Sequence, residues 1–286
     1  MYDYYLQKIA EAGQFRNLTP STISTYQYYC EYFLKFMNKT PETLTCEDVR
    51  NFLLTQKARG LKPRTLNLFN SSIHFMFRRV LRILWDDDLV PRMLENQHMP
   101  TIFTREQVNR IIECTEDLKY RAILATIYSG GLRITEALHL HYEDISRSTM
   151  RIHVRTSKNR CDRYTILSKR NLDILTDYWF SCGRPRDVLF PSSKPDKIYM
   201  CSSTLNVQLR RSMKSAGIDT SATTHDLRHS FATHLMEDGV DPRYIQTILG
   251  HRDPKSTEVY LHLSNKAFMG IKSPFEYEDK DGDIHG

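Results

Sequence analysis

Four side chains able to act on a phosphodiester fall within a 36-residue stretch near the C-terminal end of the sequence. The run THDLRHSFATHL sets His225 and Arg228 three residues apart, on one face if the segment is helical. The run ILGHRDPKSTEVYLHL follows, with His251 just after Gly250, which reads as a helix stop, and Tyr260 nine residues further on. An arginine grips a phosphate with its planar fork. A histidine takes up a proton near neutral pH. A tyrosine can serve as a covalent nucleophile. Each has an ordinary explanation alone: histidines cap or pack helix starts, arginines are solvated charges, and most of the 16 tyrosines belong to cores. The ordered set resists that explanation, and a further arginine and a lysine upstream extend it.

The elements that must position these residues read mainly as helices. Thr19 caps a helix with Pro20 at its first position and Ile23, Tyr26, Phe33, Leu34 and Met37 at helical spacing. Thr45 and Asp48 form a capping box for a second helix, which stops near Gly60. Lys62-Pro63 opens a third through Leu66, Phe69, Ile73, Phe77 and Val80, with Arg78, Arg79 and Arg82 close together on it as a basic face, either solvated or phosphate-contacting. Asp86-Asp87-Asp88, Pro91 and Pro100 mark a linker, with the break near 96–101. Thr104 and Gln107 form another capping box, and 118–129 is an apolar helix stopped by Gly130-Gly131. The next helix begins in LRITEALHL, with Arg133 and Glu136 on one face. Residues 150–155 and 163–167 read as strands joined by a turn that holds Lys158. Helices over 169–181 and 203–216 precede the stretch with His225.

The 286 residues suggest two domains, each long enough for its own core. No apolar run is long enough for a membrane span, and MYDYYLQKIAEAGQ lacks the pattern of a signal peptide, so no membrane association is expected. Six scattered cysteines contain no C-x-x-C pair, which argues against zinc or a disulfide framework and for a reducing, cytoplasmic setting. The net charge of +6 is uneven: the last 14 residues carry −4, leaving +10 on residues 1–272. A basic body suits a polyanionic partner.

SGGLRITEAL, a lysine in a hairpin, HDLRH, LGH and a tyrosine nine residues on, in that order, resemble the tyrosine recombinase (phage integrase) family. The likeness spans roughly residues 100–270, and residues 1–95 fit more loosely with that family's N-terminal helical domain. It implies a mainly α fold with a small β-hairpin or sheet. Residues 1–96 would be a SAM-like core-binding domain, 101–272 the catalytic domain and 273–286 a flexible acidic tail. By resemblance Tyr260 is the nucleophile, leaving a 3′-phosphotyrosyl ester and a 5′-hydroxyl. Arg133 and Arg228 clamp the phosphate, Lys158 protonates the leaving oxygen, His225 is the base toward Tyr260, His251 bonds the phosphate and Glu136 buttresses the site. Lys158 departs from the frequent Gly-Lys-Gly setting, lying in Ser157-Lys158-Asn159. His229, His234 and His262 are assigned no chemistry.

No metal or other cofactor is implied, since two guanidinium groups take the place of metal ions. The implied partners are double-stranded DNA with specific recombination sites, held in a C-shaped clamp, a homotetramer in the synaptic complex, and accessory DNA-bending proteins. A chain that opens directly on the core-binding domain favours an Xer-like enzyme or one carried by a mobile element such as a transposon. Two other readings stay open: a type IB topoisomerase-like DNA-relaxing enzyme, and a catalytically silent DNA-binding accessory protein.

Overall fold

The computed structural model describes residues 2–95, 100–155 and 162–250. Packing divides the chain between residues 98 and 99 into two units.

The first unit is helical: α1 (Asp3–Phe15), α2 (Pro20–Met37), α3 (Cys46–Ala58) and α4 (Pro63–Met76). Local sequence sets its starts. The Thr19 hydroxyl accepts from the Thr22 amide ahead of Pro20, and Thr45 and Asp48 exchange side chain-to-backbone bonds as a full capping box. The core is aromatic, with Phe33, Phe52 and Phe69 packed edge to face at centroid distances of 5.0 and 5.1 Å. Such pairs contribute about 0.5–1.5 kcal/mol each beyond area burial. The helix α4 differs from its sequence reading. Regular α-helix ends at Met76, and Phe77–Leu81 continue as a π-helical turn closed by Arg82 in the left-handed conformation. Phe77 stays fully buried, so the turn keeps it in the core.

The second unit surrounds α6 (Leu118–Gly130). Ala122 through Ile127 are six consecutive buried residues, and a helix apolar on all sides must lie at the centre of its domain. Around it pack α5 (Arg105–Glu113), α8 (Lys169–Ser181), α9 (Ser202–Ser215) and α10 (Thr224–Glu237). The capping box of Thr104 and Gln107 starts α5. The short α7 (Ile134–Leu138) follows α6, and α11 (Pro242–Leu249) follows α10.

A three-stranded antiparallel sheet lies against α6, ordered β1 (Ile145–Ser146), β2 (Arg151–Val154) and β3 (Arg163–Ile166). The hairpin strands stand where the sequence places them; β1, two residues long, is an addition. Pairing of Ile152 with Thr165 and of Val154 with Arg163 fixes which side chains share a face. Ile152, Val154 and Thr165 are buried, while Tyr164 and Ile166 are 58% and 41% exposed. Arg163 therefore lies on the core side of the sheet. No helix among the described residues is long and apolar enough to cross a membrane.

Candidate active site

The site begins at the end of α6. Gly131 takes the left-handed conformation (φ +61°), and a Cβ there would lie 2.4 Å from the Phe231 ring. Only glycine fits both demands. The turn sends Leu132 into the core and leaves Arg133 as the residue before α7, on extended backbone. The sequence reading put Arg133 inside a helix beside Glu136; it stands instead at the N-cap. Contact between the two survives for a different reason. The Glu136 carboxylate turns back to accept from the Arg133 amide at 2.8 Å, half of a capping box, and from Arg133 Nη1 at 2.8 Å.

Two more arginines converge on that carboxylate. Arg163 donates Nη1 to Oε1 at 3.0 Å and Nη2 to Oε2 at 2.8 Å, a bidentate pair. Arg228, from α10, brings Nη1 to 3.5 Å from Oε2 and donates Nη2 to the Leu249 carbonyl at 2.7 Å. Arg228 is 1% exposed, among the largest fully buried side chains of the described residues. Burial pushes the Glu136 carboxyl up, but the hydrogen bonds and charge of Arg163, then the bonds from Arg133, outweigh it and hold the pKa at about 2. Three guanidinium groups around one carboxylate leave an excess of two positive charges.

His225 lies on α10, one turn before Arg228. The Thr223 side chain caps this helix, and Asp226 answers with a bond to the Thr223 amide. His225 keeps an exposed surface. Partial desolvation, then the charges of Arg228 and Arg133, lower its pKa against the pull of Asp226. The neutral imidazole is thus favoured near neutral pH and can accept a proton. The His229 ring packs at 79° against it, 4.5 Å away, and burial followed by the His225 charge lowers the His229 pKa to about 4. His234 bonds the Tyr128 hydroxyl at 2.9 Å, a packing role in keeping with its having no assigned chemistry.

Of the seven residues singled out from the sequence, Arg133, Glu136, His225 and Arg228 come together. Lys158, His251 and Tyr260 lie outside the described residues. α11 ends at Gly250 in the left-handed conformation (φ +64°), immediately before His251. Arg163 was missed. Its only signal was strand parity: in RYTIL, Arg163, Thr165 and Leu167 alternate with Tyr164 and Ile166, and the second set looks the more apolar. Arranged in this way, the described residues form a cationic, largely desolvated seat for an oxyanion beside a neutral imidazole.

Residues 101–267 match the pattern of the phage integrase family, more than half of the chain, and residues 5–87 match the N-terminal SAM-like domain of phage integrases. The chain belongs to the phage integrase family of tyrosine recombinases. Among curated relatives, a putative integrase/recombinase, y4qK, of Sinorhizobium fredii is 32% identical over 94% of this chain and 88% of its own length. The tyrosine recombinase XerA of Pyrococcus horikoshii is 28% identical over 91% of this chain and 90% of its own. The fold of this family member is also that of the XerH site-specific recombinase in a post-cleavage complex with palindromic difH substrate. The TM-score is 0.72 at 21% identity, covering 92% of this chain and 82% of that one.

Proposed function

We propose that this protein cuts and rejoins double-stranded DNA at specific sites, with Tyr260 as the nucleophile. The Tyr260 Oη attacks a backbone phosphorus as His225 takes its proton. The bond from phosphorus to the 5′-oxygen breaks, and Lys158 supplies that oxygen with a proton. The products are a 3′-phosphotyrosyl ester and a 5′-hydroxyl. Attack by a second strand's 5′-hydroxyl reverses the step and restores the phenol. The ester conserves the bond energy, so rejoining consumes no nucleotide. Arg133 and Arg228 hold the non-bridging oxygens, His251 hydrogen-bonds them, and Glu136 fixes the arginines. Residues 101–272 carry this chemistry, and the helical residues 1–96 grip the duplex. A homotetramer on two DNA sites, with accessory DNA-bending proteins and in the cytoplasm, completes the reading.

One observation carries it. Arg133 and Arg228, 95 positions apart in sequence, both reach the carboxylate of Glu136, and the neutral-leaning His225 shares a helix face with Arg228. Two fixed guanidinium groups with a charge excess match a phosphate that gains negative charge in its transition state. Backbone contacts to DNA would make affinity fall steeply with salt.

The test is a duplex selected by the protein from a random-sequence pool, then nicked so that cleavage cannot be reversed. A protein–DNA adduct on a denaturing gel is expected, attached to the 3′-end, and absent with Tyr260→Phe. An adduct that persists with Tyr260→Phe would remove the nucleophile. Relaxation of supercoiled plasmid without any preferred site would favour a topoisomerase.

A further inference from the structure

A histidine that acts as a base must hold its ring in one orientation, and a third group generally does the holding through a hydrogen bond. Asp226, the carboxylate beside His225 in sequence, is engaged elsewhere. Its Oδ1 accepts from the Thr101 amide at 3.1 Å, and its Oδ2 accepts from the Thr223 amide and hydroxyl at 2.7 and 2.9 Å. Among the described residues the hydrogen bond of His225 is made by its backbone amide, to Thr223 Oγ1, and none holds its ring. What lies against that ring is another one, His229, with centroids 4.5 Å apart and planes at 79°.

The two histidines stand four residues apart on α10, so the helix itself puts them on one face and sets their separation. An edge-to-face contact prefers one relative orientation, so a flat ring at position 229 restricts the plane of the ring at 225. It also takes part of that ring out of water, and desolvation is the largest of the influences that keep His225 neutral. The contact suits an uncharged His229, because a second imidazolium would repel the one that forms when His225 takes a proton. Burial, then the His225 charge, bring His229 to about 4 and keep it neutral. The charged groups acting on the pair are Asp226 and Arg228 on the same helix and Arg133 ahead of α7. From α9 the neighbour is the uncharged Asn206, which bonds Thr224.

Resting on the recombinase reading above, we propose that His229 is a positioning residue: its uncharged ring, packed edge to face, fixes the plane of the His225 imidazole and shields it, so that His225 stands ready to accept the nucleophile's proton. His229 exchanges no proton itself and acts through its neighbour.

The test compares unmodified protein, His229→Phe, which keeps a flat ring without nitrogens, and His229→Ala, which removes the ring. The His225 ring is titrated by NMR in the free protein, and single-turnover cleavage of the nicked duplex is followed from about pH 5 to 8, beside melting temperature. His229→Phe is expected to cleave close to the unmodified rate with the same acid limb. His229→Ala is expected to slow cleavage by about 10–100-fold, the scale of loss for a misplaced catalytic group. It should also raise His225 toward its ordinary 6.5 and carry the acid limb up with it. A merely structural His229 would lower the melting temperature and leave the ring titration of the folded protein where it was. Should His229→Ala fail to fold, His229→Leu fills the space without a flat ring and takes its place. Cleavage by His229→Ala at the unmodified rate, an unmoved His225 titration, or a His229→Phe protein as slow as His229→Ala would overturn the proposal and leave the recombinase reading intact. An unmodified protein that forms no adduct would overturn that reading, and this proposal with it.

Discussion

Arg228 donates Nη2 to the backbone carbonyl of Leu249 at 2.7 Å, so a fully buried cation closes the C-terminal end of α11. The last carbonyls of a helix lack partners within it and carry the negative end of its dipole. A buried guanidinium in turn needs acceptors on several sides. Each supplies what the other lacks. The bond also joins α10, which bears His225, to the segment that leads into His251.

Replacing Arg228 should therefore harm both fold and chemistry. Arg228→Met is expected to lower unfolding free energy by about 2–4 kcal/mol, short of the full loss for a broken buried pair because Glu136 keeps two other arginines. Cleavage should fall by about 100–1,000-fold even under conditions where the variant is folded. Urea denaturation and the adduct assay measure the two separately.

Glu136 should make the catalytic unit sensitive to acid. Its pKa is lowered from 4.5 to about 2 in the folded protein, so the unfolded chain takes up the proton first. The stabilisation is complete above pH 4.5 and disappears as pH falls toward 2. The displacement corresponds to about 3 kcal/mol. Thermal melting from pH 7 to 3 should show this loss, and Glu136→Gln should remove the part that begins at pH 4.5.

His225 should titrate below its ordinary value of 6.5, because crowding and the charges of Arg228 and Arg133 disfavour the imidazolium. Cleavage is then expected to hold level near neutral pH and to fall on acidification only below that value. NMR titration of the ring checks the pKa and single-turnover rates check the profile. An acid limb at or above 6.5 would speak against His225 as the base.

Gly131→Ala should be costly out of proportion to one methyl group. The added Cβ meets the Phe231 ring at 2.4 Å, and φ is +61°. Left-handed strain and overpacking together suggest about 2–4 kcal/mol. Melting should drop by roughly 2–4 °C per kcal/mol for a unit of this size. Arg133 hangs from the same turn, so cleavage should fall as well.

Much of the fold could be read from local chemistry. Thr19 with Pro20, Thr45 with Asp48 and Thr104 with Gln107 start helices where the sequence puts them, because a cap needs only residues within one turn. The apolar run of α6 announced a helix for a similarly local reason; its central place came from the packing. The π-helical turn after Met76, which packs against the distant α1, and β1, only two residues long and so too short to show an alternation, were not legible. Arg133 shows the boundary well: its association with Glu136 was foreseen from spacing, its position at the N-cap was not.

The sequence by itself determined the chemical types that meet around Glu136 and their order along the chain, from Arg133 through His225 to Arg228. Tertiary structure decided which face of β3 turns inward. Alternation fixes only that Arg163 and Tyr164 point opposite ways; pairing of β3 with β2 over α6 turns the Arg163 side chain inward, 8% exposed, and leaves Tyr164 exposed. Choosing between two faces is a global matter of what the sheet packs against. That choice delivers the third guanidinium to Glu136, and the charge balance of the site follows from it.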